Sequence, residues 1–146
     1  MRNKRRNSNW LALSLGVAAA AIVLAGATPE LLAAPRKCSE RSVKKLKMLN
    51  RDALDELDRW NTDKAKRKLG DARLVAQSRG CSLHPVLAQT YAILGVVEQR
   101  ERRHKLMKAA WKKALYIHWE VKIPKRVISA KVMRLFNWVK RNTTPR

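Results

Sequence analysis

Apolar residues follow two rhythms along this chain. From Trp10 to Ala27 they run almost without interruption, richest across Leu11–Leu24; after Ser39 they recur every three or four residues, separated by Lys, Arg and other polar groups. The second rhythm is that of amphipathic helices. Leu46, Leu49, Ala53, Leu57 and Trp60 predict a helix over 39–60, with Ser39 as N-cap and Ser42 as the alternative; Asn61-Thr62 breaks it. Ala65, Leu69, Ala72 and Ala76 predict a second over 63–78, capped by Thr62 or Asp63 and ended by Gly80. Ser82-Leu83-His84-Pro85 restarts the chain into a third helix over 85–100, since proline suits a first helical turn. Met107, Ala110, Trp111 and Ala114 mark a fourth over 105–119, and Pro124 stops its continuation. Ile128, Val132, Leu135, Phe136 and Val139 line a fifth over 129–141, opposite Lys131, Arg134 and Lys140. No stretch alternates with period two, so the chain reads as all-α.

The first rhythm belongs to a different kind of segment. Arg2, Lys4, Arg5 and Arg6 precede the apolar run, which ends in Ala25-Gly26-Ala27. A basic start, an apolar middle and small residues at the −3 and −1 positions describe an export signal over 1–27, cleaved after Ala27 with Ala25 at −3. The expected location is the periplasm or cell envelope. The competing reading is an uncleaved inner-membrane anchor formed by residues 10–27, because a span needs roughly 20 apolar residues. A lipidated cysteine is rejected: Cys38, the nearest, follows Ala34-Pro35-Arg36-Lys37, whose basic pair does not fit such a site. Residues 28–38, with Pro29 and Pro35, form a linker to a helical domain at 39–146.

Composition narrows the partners. The chain holds 33 Lys and Arg against 11 Asp and Glu, a formal net charge of +22. Removing the four basic residues of the leader leaves +18, with basic residues in every later segment. Such a domain repels itself and attracts anions: an acidic protein or peptide, an anionic lipid surface, acidic polysaccharide or nucleic acid. The bland reading of each single basic run is a solvated helix face. Cys38 and Cys81 predict one disulfide, closing a loop of 43 residues worth about 3–4 kcal/mol by chain entropy; two free cysteines are the alternative.

Between residues 85 and 119 the pattern also resembles a tetratricopeptide repeat, a 34-residue helix–turn–helix unit. With Leu94-Gly95 on the family's Leu-Gly pair, Tyr91 falls on its first large aromatic, Met107 on the small residue of its second helix, Trp111 on that helix's aromatic, and Ala114-Leu115 on its closing pair. Glu98 stands where the family has another aromatic, and Trp119 where it has proline. Ala65, Leu69 and Ala72 fit the second helix of an earlier unit, whose glycine position holds Ala53, 42 residues before Gly95. The resemblance spans roughly 46–119 and implies stacked antiparallel hairpins, a concave groove lined mainly by the first helix of each unit, and helix five as a C-terminal cap.

Catalytic patterns are missing. There is no Gly-rich phosphate loop, Gly-x-Ser-x-Gly elbow or His-Glu-x-x-His pair. Cys81 and His84 have the spacing of half a metal site without a second half, and His84 beside Pro85 reads more simply as a helix-start residue; His104 and His118 join no cluster. Asp52, Asp55, Glu56 and Asp58 read as the acidic side of the first helix, with i,i+4 partners such as Asp55 to Arg59. Neither enzyme, cofactor, metal nor small-molecule substrate is expected. Trp60 and Trp111 lie on apolar stripes and are assigned to the core, whereas Trp119 and Trp138 interleave with cations and leave a stacking surface open. Nucleic acid ranks below an acidic protein partner because an exported chain meets little of it. The expected function is a non-catalytic interaction adaptor of the bacterial envelope. The alternative is a general polyanion binder, and a third reading is a decayed remnant of a longer repeat protein.

Overall fold

The computed structural model describes residues 37–144. The expected leader (1–27), its cleavage positions Ala25 and Ala27, the alternative anchor (10–27) and nearly all of the linker lie outside the described residues. Regular structure within them is entirely helical: α1 (Glu40–Asp58), α2 (Thr62–Ser78), α3 (Pro85–Arg100), α4 (His104–Ile117), a short 3-10 turn (Lys125–Val127) and α5 (Ala130–Arg141). None of these helices is long and apolar enough to cross a membrane.

Local chemistry sets most of the helix starts. Ser39 Oγ accepts from the Ser42 backbone N–H at 3.2 Å, so Ser39 is the α1 cap and Ser42 turns to bond it. His84 Nδ1 accepts from the Val86 N–H at 3.2 Å, with Pro85 in the first turn of α3. Ser129 does the same for α5 through the Val132 N–H at 3.1 Å. The α2 start departs from expectation. It opens at Thr62, and neither Thr62 nor Asp63 caps it; Asn61 occupies the cap position without a side-chain cap bond. Its Nδ2 instead donates to Glu56 Oε2 at 3.0 Å, back on α1.

Three helices end in one way. The N–H of Asn61 bonds Glu56 O at 2.9 Å, that of Cys81 bonds Ala76 O at 2.8 Å, and that of Arg103 bonds Glu98 O at 2.9 Å. Each closure places the preceding residue in the left-handed region: Trp60 at φ 63°, Gly80 at 69° and Arg102 at 59°. Glycine takes that conformation without penalty, while a side chain costs about 1–2 kcal/mol. The turns at Trp60 and Arg102 lie 42 residues apart, and each is followed by an N–H two residues on that bonds its carbonyl at 3.1 Å. The α1–α2 and α3–α4 pairs are therefore joined by the same turn.

That turn corrects the placement of Trp60. The three-and-four spacing carries the stripe to position 60, but α1 stops at Asp58 and the left-handed residue swings Trp60 away from the core to 80% exposure. Its ring lies beneath the Arg100 guanidinium, 5.3 Å from the centroid, while Arg100 also donates to Leu57 O at 2.8 Å. Ile128 is a second correction. It sits in extended backbone before the Ser129 cap, 43% exposed rather than on the buried side of α5.

The core is centred on α3, which is buried from Leu87 through Glu98 on most of its circumference. Its closest neighbour is α4. Trp111 is fully buried, donating from Nε1 to Ala92 O at 3.1 Å and meeting Phe136 of α5 edge-on at 5.6 Å. The indole lies against Gly95: a Cβ there would come under 3.0 Å from three of its ring atoms. A smaller cluster of Leu46, Leu49, Ala72, Ala76 and Leu87 closes around Cys81. The Cys38–Cys81 disulfide, 43 residues apart in sequence, ties the entry of α1 to the loop after α2.

Three stability outcomes are expected from urea or thermal unfolding. Gly95→Ala should cost about 3 kcal/mol through overpacking, and adding Trp111→Leu should cost less than the sum of the two single changes, because the ring that the methyl strikes is gone. Removing both cysteines as Ser should cost about 3–4 kcal/mol. Arg102→Gly should instead raise stability by about 0.5–1 kcal/mol by relieving the left-handed turn.

Candidate partner-binding groove

The positions that carry the repeat resemblance form the α3–α4 contact. Gly95, Met107, Trp111, Ala114 and Leu115 are buried, and Tyr91 and Leu94 partly so, with Arg73 5.6 Å from the Tyr91 ring centroid. They hold helices together, and the five buried ones leave no surface for a ligand. The Cys81–His84 pair is likewise committed, one to the disulfide and the other to the α3 cap. Among the described residues no three His, Cys, Asp or Glu side chains gather in a metal-binding group.

An open cleft lies one stripe away from the core. On α1, Lys47, Asn50, Arg51 and Leu54 follow each other at helical spacing; on α3, Val86, Gln89 and Ile93 do the same. Together with the segment 118–124 they border an open cleft of ≈ 470 Å³. Its floor is apolar through Leu54, Val86 and Ile93, and its rim carries Lys47, Arg51, His118 and Lys122 against one acid, Glu120. Periodicity alone assigns no role to these side chains. Their signal in the sequence is a second stripe at positions 47, 50, 51 and 54, offset by one residue from the buried one, but its apolar member Leu54 is outnumbered by polar neighbours.

Three interactions give the cleft its shape. Thr90 Oγ1 donates to Asn50 Oδ1 at 2.8 Å in a buried pair, and Asn50 Nδ2 donates to Val86 O at 3.2 Å, pinning α1 to α3 across the floor. Burying such a hydroxyl and amide is tolerable because each finds a partner. Gln89 Nε2 donates to Lys122 O at 3.3 Å and holds the third wall. That wall is fastened from its far end by Arg126, which reaches Asp55 at 2.9 Å and also grips Asp58. The two carboxylates hydrogen-bond the guanidinium and raise its already high pKa. Asp55 thus pairs across the fold with Arg126, not within the helix with Arg59; Arg59 lies 3.9 Å from Glu56.

Other acids are also drawn inward. Glu98, at the position where the resemblance calls for an aromatic, is 5% exposed. Its carboxylate lies 3.5 Å from Lys66 Nζ and 3.2 Å from Arg103 Nε, with Oε2 off the line of an aligned hydrogen bond. Lys66 bonds Glu101 as well, at 3.0 Å, and Arg103 pairs with Glu101. The cluster ties α2 to the end of α3. Residues 37–101 carry 14 basic and nine acidic side chains, and residues 102–144 carry 13 basic and only Glu120. The basic residues are spread along the fold. The acids are not, and five of the nine in the first half, Asp55, Glu56, Asp58, Glu98 and Glu101, are engaged in ion pairs.

Arg126→Ala tests the clamp. Hydrogen exchange of backbone amides over 121–128 should speed by about ten-fold or more as the wall opens locally. The melting temperature should move little, because solvent-exposed pairs contribute weakly to global stability.

Comparison of the chain with protein-family models, with curated proteins and with solved structures finds no match.

Proposed function

We propose that this chain is a non-catalytic, exported adaptor of the cell envelope, built of tetratricopeptide-like hairpins, that holds a short acidic segment of a partner protein in the groove between α1 and α3. The observation that carries this reading is the groove itself: an apolar floor with a rim of Lys47, Arg51 and Lys122, framed by the first helix of each pair. Extended or helical peptide segments are recognised by such apolar floors, with rim charge setting selectivity. The identical turns 42 residues apart support two related units. The disulfide fits an oxidising compartment, where such bonds persist. With two pairs the groove is short, which favours a peptide-sized footprint over a folded partner.

The test is retention of envelope proteins on the purified protein at low and then moderate salt. Wild type should keep one discrete partner at moderate ionic strength. The double variant Lys47→Glu, Arg51→Glu should lose it, with affinity falling about ten-fold or more per reversed charge. Lys64→Glu with Arg67→Glu, an equal charge change on exposed α2 positions, should retain it. A mixture of acidic polymers that washes off as salt rises, with both variants weakened alike, would instead support general polyanion binding.

A further inference from the structure

Helices α4 and α5 contain no acidic residue at all. On α4, Lys105, Lys112 and Tyr116 form one exposed stripe, flanked by Lys108 and Lys113; on α5, Lys131, Arg134, Trp138 and Arg141 form another. Lys108 joins the two, its ammonium 4.5 Å from the centroid of the Trp138 ring. Apolar groups stand out among these cations: Leu106 is 50% exposed, Tyr116 44% and Trp138 43%. The one acid among residues 102–144, Glu120, lies off both helices in the loop bordering the groove. A shallow hollow of ≈ 630 Å³ runs along α5 beside Trp138, edged by Arg134 and Arg141.

We infer that this outer face of α4 and α5 docks on the headgroup layer of an anionic lipid bilayer. The inference does not depend on the groove reading, since the two surfaces share no residue. Clustered Lys and Arg without intervening acids match an anionic membrane surface in charge. Half-exposed Trp, Tyr and Leu beside them have the amphipathic character that partitions into the interfacial zone. A base-stacking surface fits less well. Stacking needs an open aromatic face, yet Lys108 lies over Trp138, Lys113 over Tyr116 at 5.1 Å and Lys140 over Trp119 at 5.1 Å. In contact with lipid, those ammonium groups would move the short distance to phosphates and leave the ring edges at the level of the glycerol.

The experiment is co-sedimentation of the full chain with vesicles of phosphatidylcholine alone or with about one-third phosphatidylglycerol, at about 0.1 M salt. Wild type should bind the anionic vesicles preferentially. Replacing Lys108, Lys112 and Arg134 by Gln should weaken that binding about a hundred-fold, at about five-fold per cation. Replacing Arg41, Lys44 and Lys45 by Gln, an equal charge change at exposed positions on α1, should weaken it far less. Every variant keeps residues 1–36, so any contribution of that stretch cancels in the comparison. Phosphatidylcholine brominated on its acyl chains should quench tryptophan fluorescence in the anionic vesicles more in wild type than in Trp138→Phe, the difference reporting residue 138 because Trp10 is common to both. Equal losses in the two triple variants, binding without Trp138-dependent quenching, or no preference for anionic vesicles would each overturn the inference. Displacement from the vesicles by a DNA duplex at equal phosphate concentration would do so in favour of nucleic acid.

Discussion

The contact of the Trp111 indole with the bare Cα of Gly95 is the constraint around which the helices are arranged. The ring lies where any side chain at position 95 would have to go, and its Nε1 is anchored on Ala92 O at 3.1 Å. Burying an indole contributes a large apolar area but obliges its N–H to find an acceptor; the Ala92 carbonyl of α3 supplies it. From that position Trp111 meets Phe136 of α5 edge-on. One aromatic thus sets the approach of α4 to α3 and gives α5 a surface to cover.

Charge shapes the molecule from the opposite direction. A chain of net charge +22 must limit its own repulsion, and it does so by spending acids on specific internal partners. Glu98 and Glu101 hold Lys66 and Arg103 at the α2–α3 junction, while Asp55 and Asp58 hold Arg126 beside the groove. The consequence is an uneven surface. Cations near those acids are partly neutralised, whereas α4 and α5 carry theirs with no acid on either helix. The disulfide adds a constraint that electrostatics cannot weaken, closing the small cluster around Cys81 where α1 and α2 meet.

The two proposed surfaces are compatible because they use different parts of the fold. The groove is framed by α1, α3 and the loop 118–124, and the acid-free face belongs to α4 and α5. A domain resting on a bilayer through one would keep the other free to receive a partner segment. Such an arrangement confines recognition to a surface and raises the effective concentration of any partner anchored in the same membrane.

Much of the fold is legible in the amino-acid sequence. Helix positions, the Ser39 and His84 starts, the Gly80 stop and the cysteine pair all follow from local preferences, because a helical stripe, a cap or a left-handed glycine is specified by residues a few positions apart. The candidate groove is much less so. Lys47, Arg51 and Lys122 are ordinary exposed cations in the sequence, and only the docking of α1 on α3 through Asn50 and Thr90 makes them a rim. The outward turn of Trp60 and the reach of Arg126 to Asp55 are equally hidden there. The first rests on a left-handed backbone that tryptophan disfavours, and the second joins residues 71 positions apart. The sequence by itself determined which segments become helices and which faces they bury, since both depend on short-range periodicity. Only the tertiary structure decided which polar residues face one another across helices, because that depends on how the packed faces orient the rest.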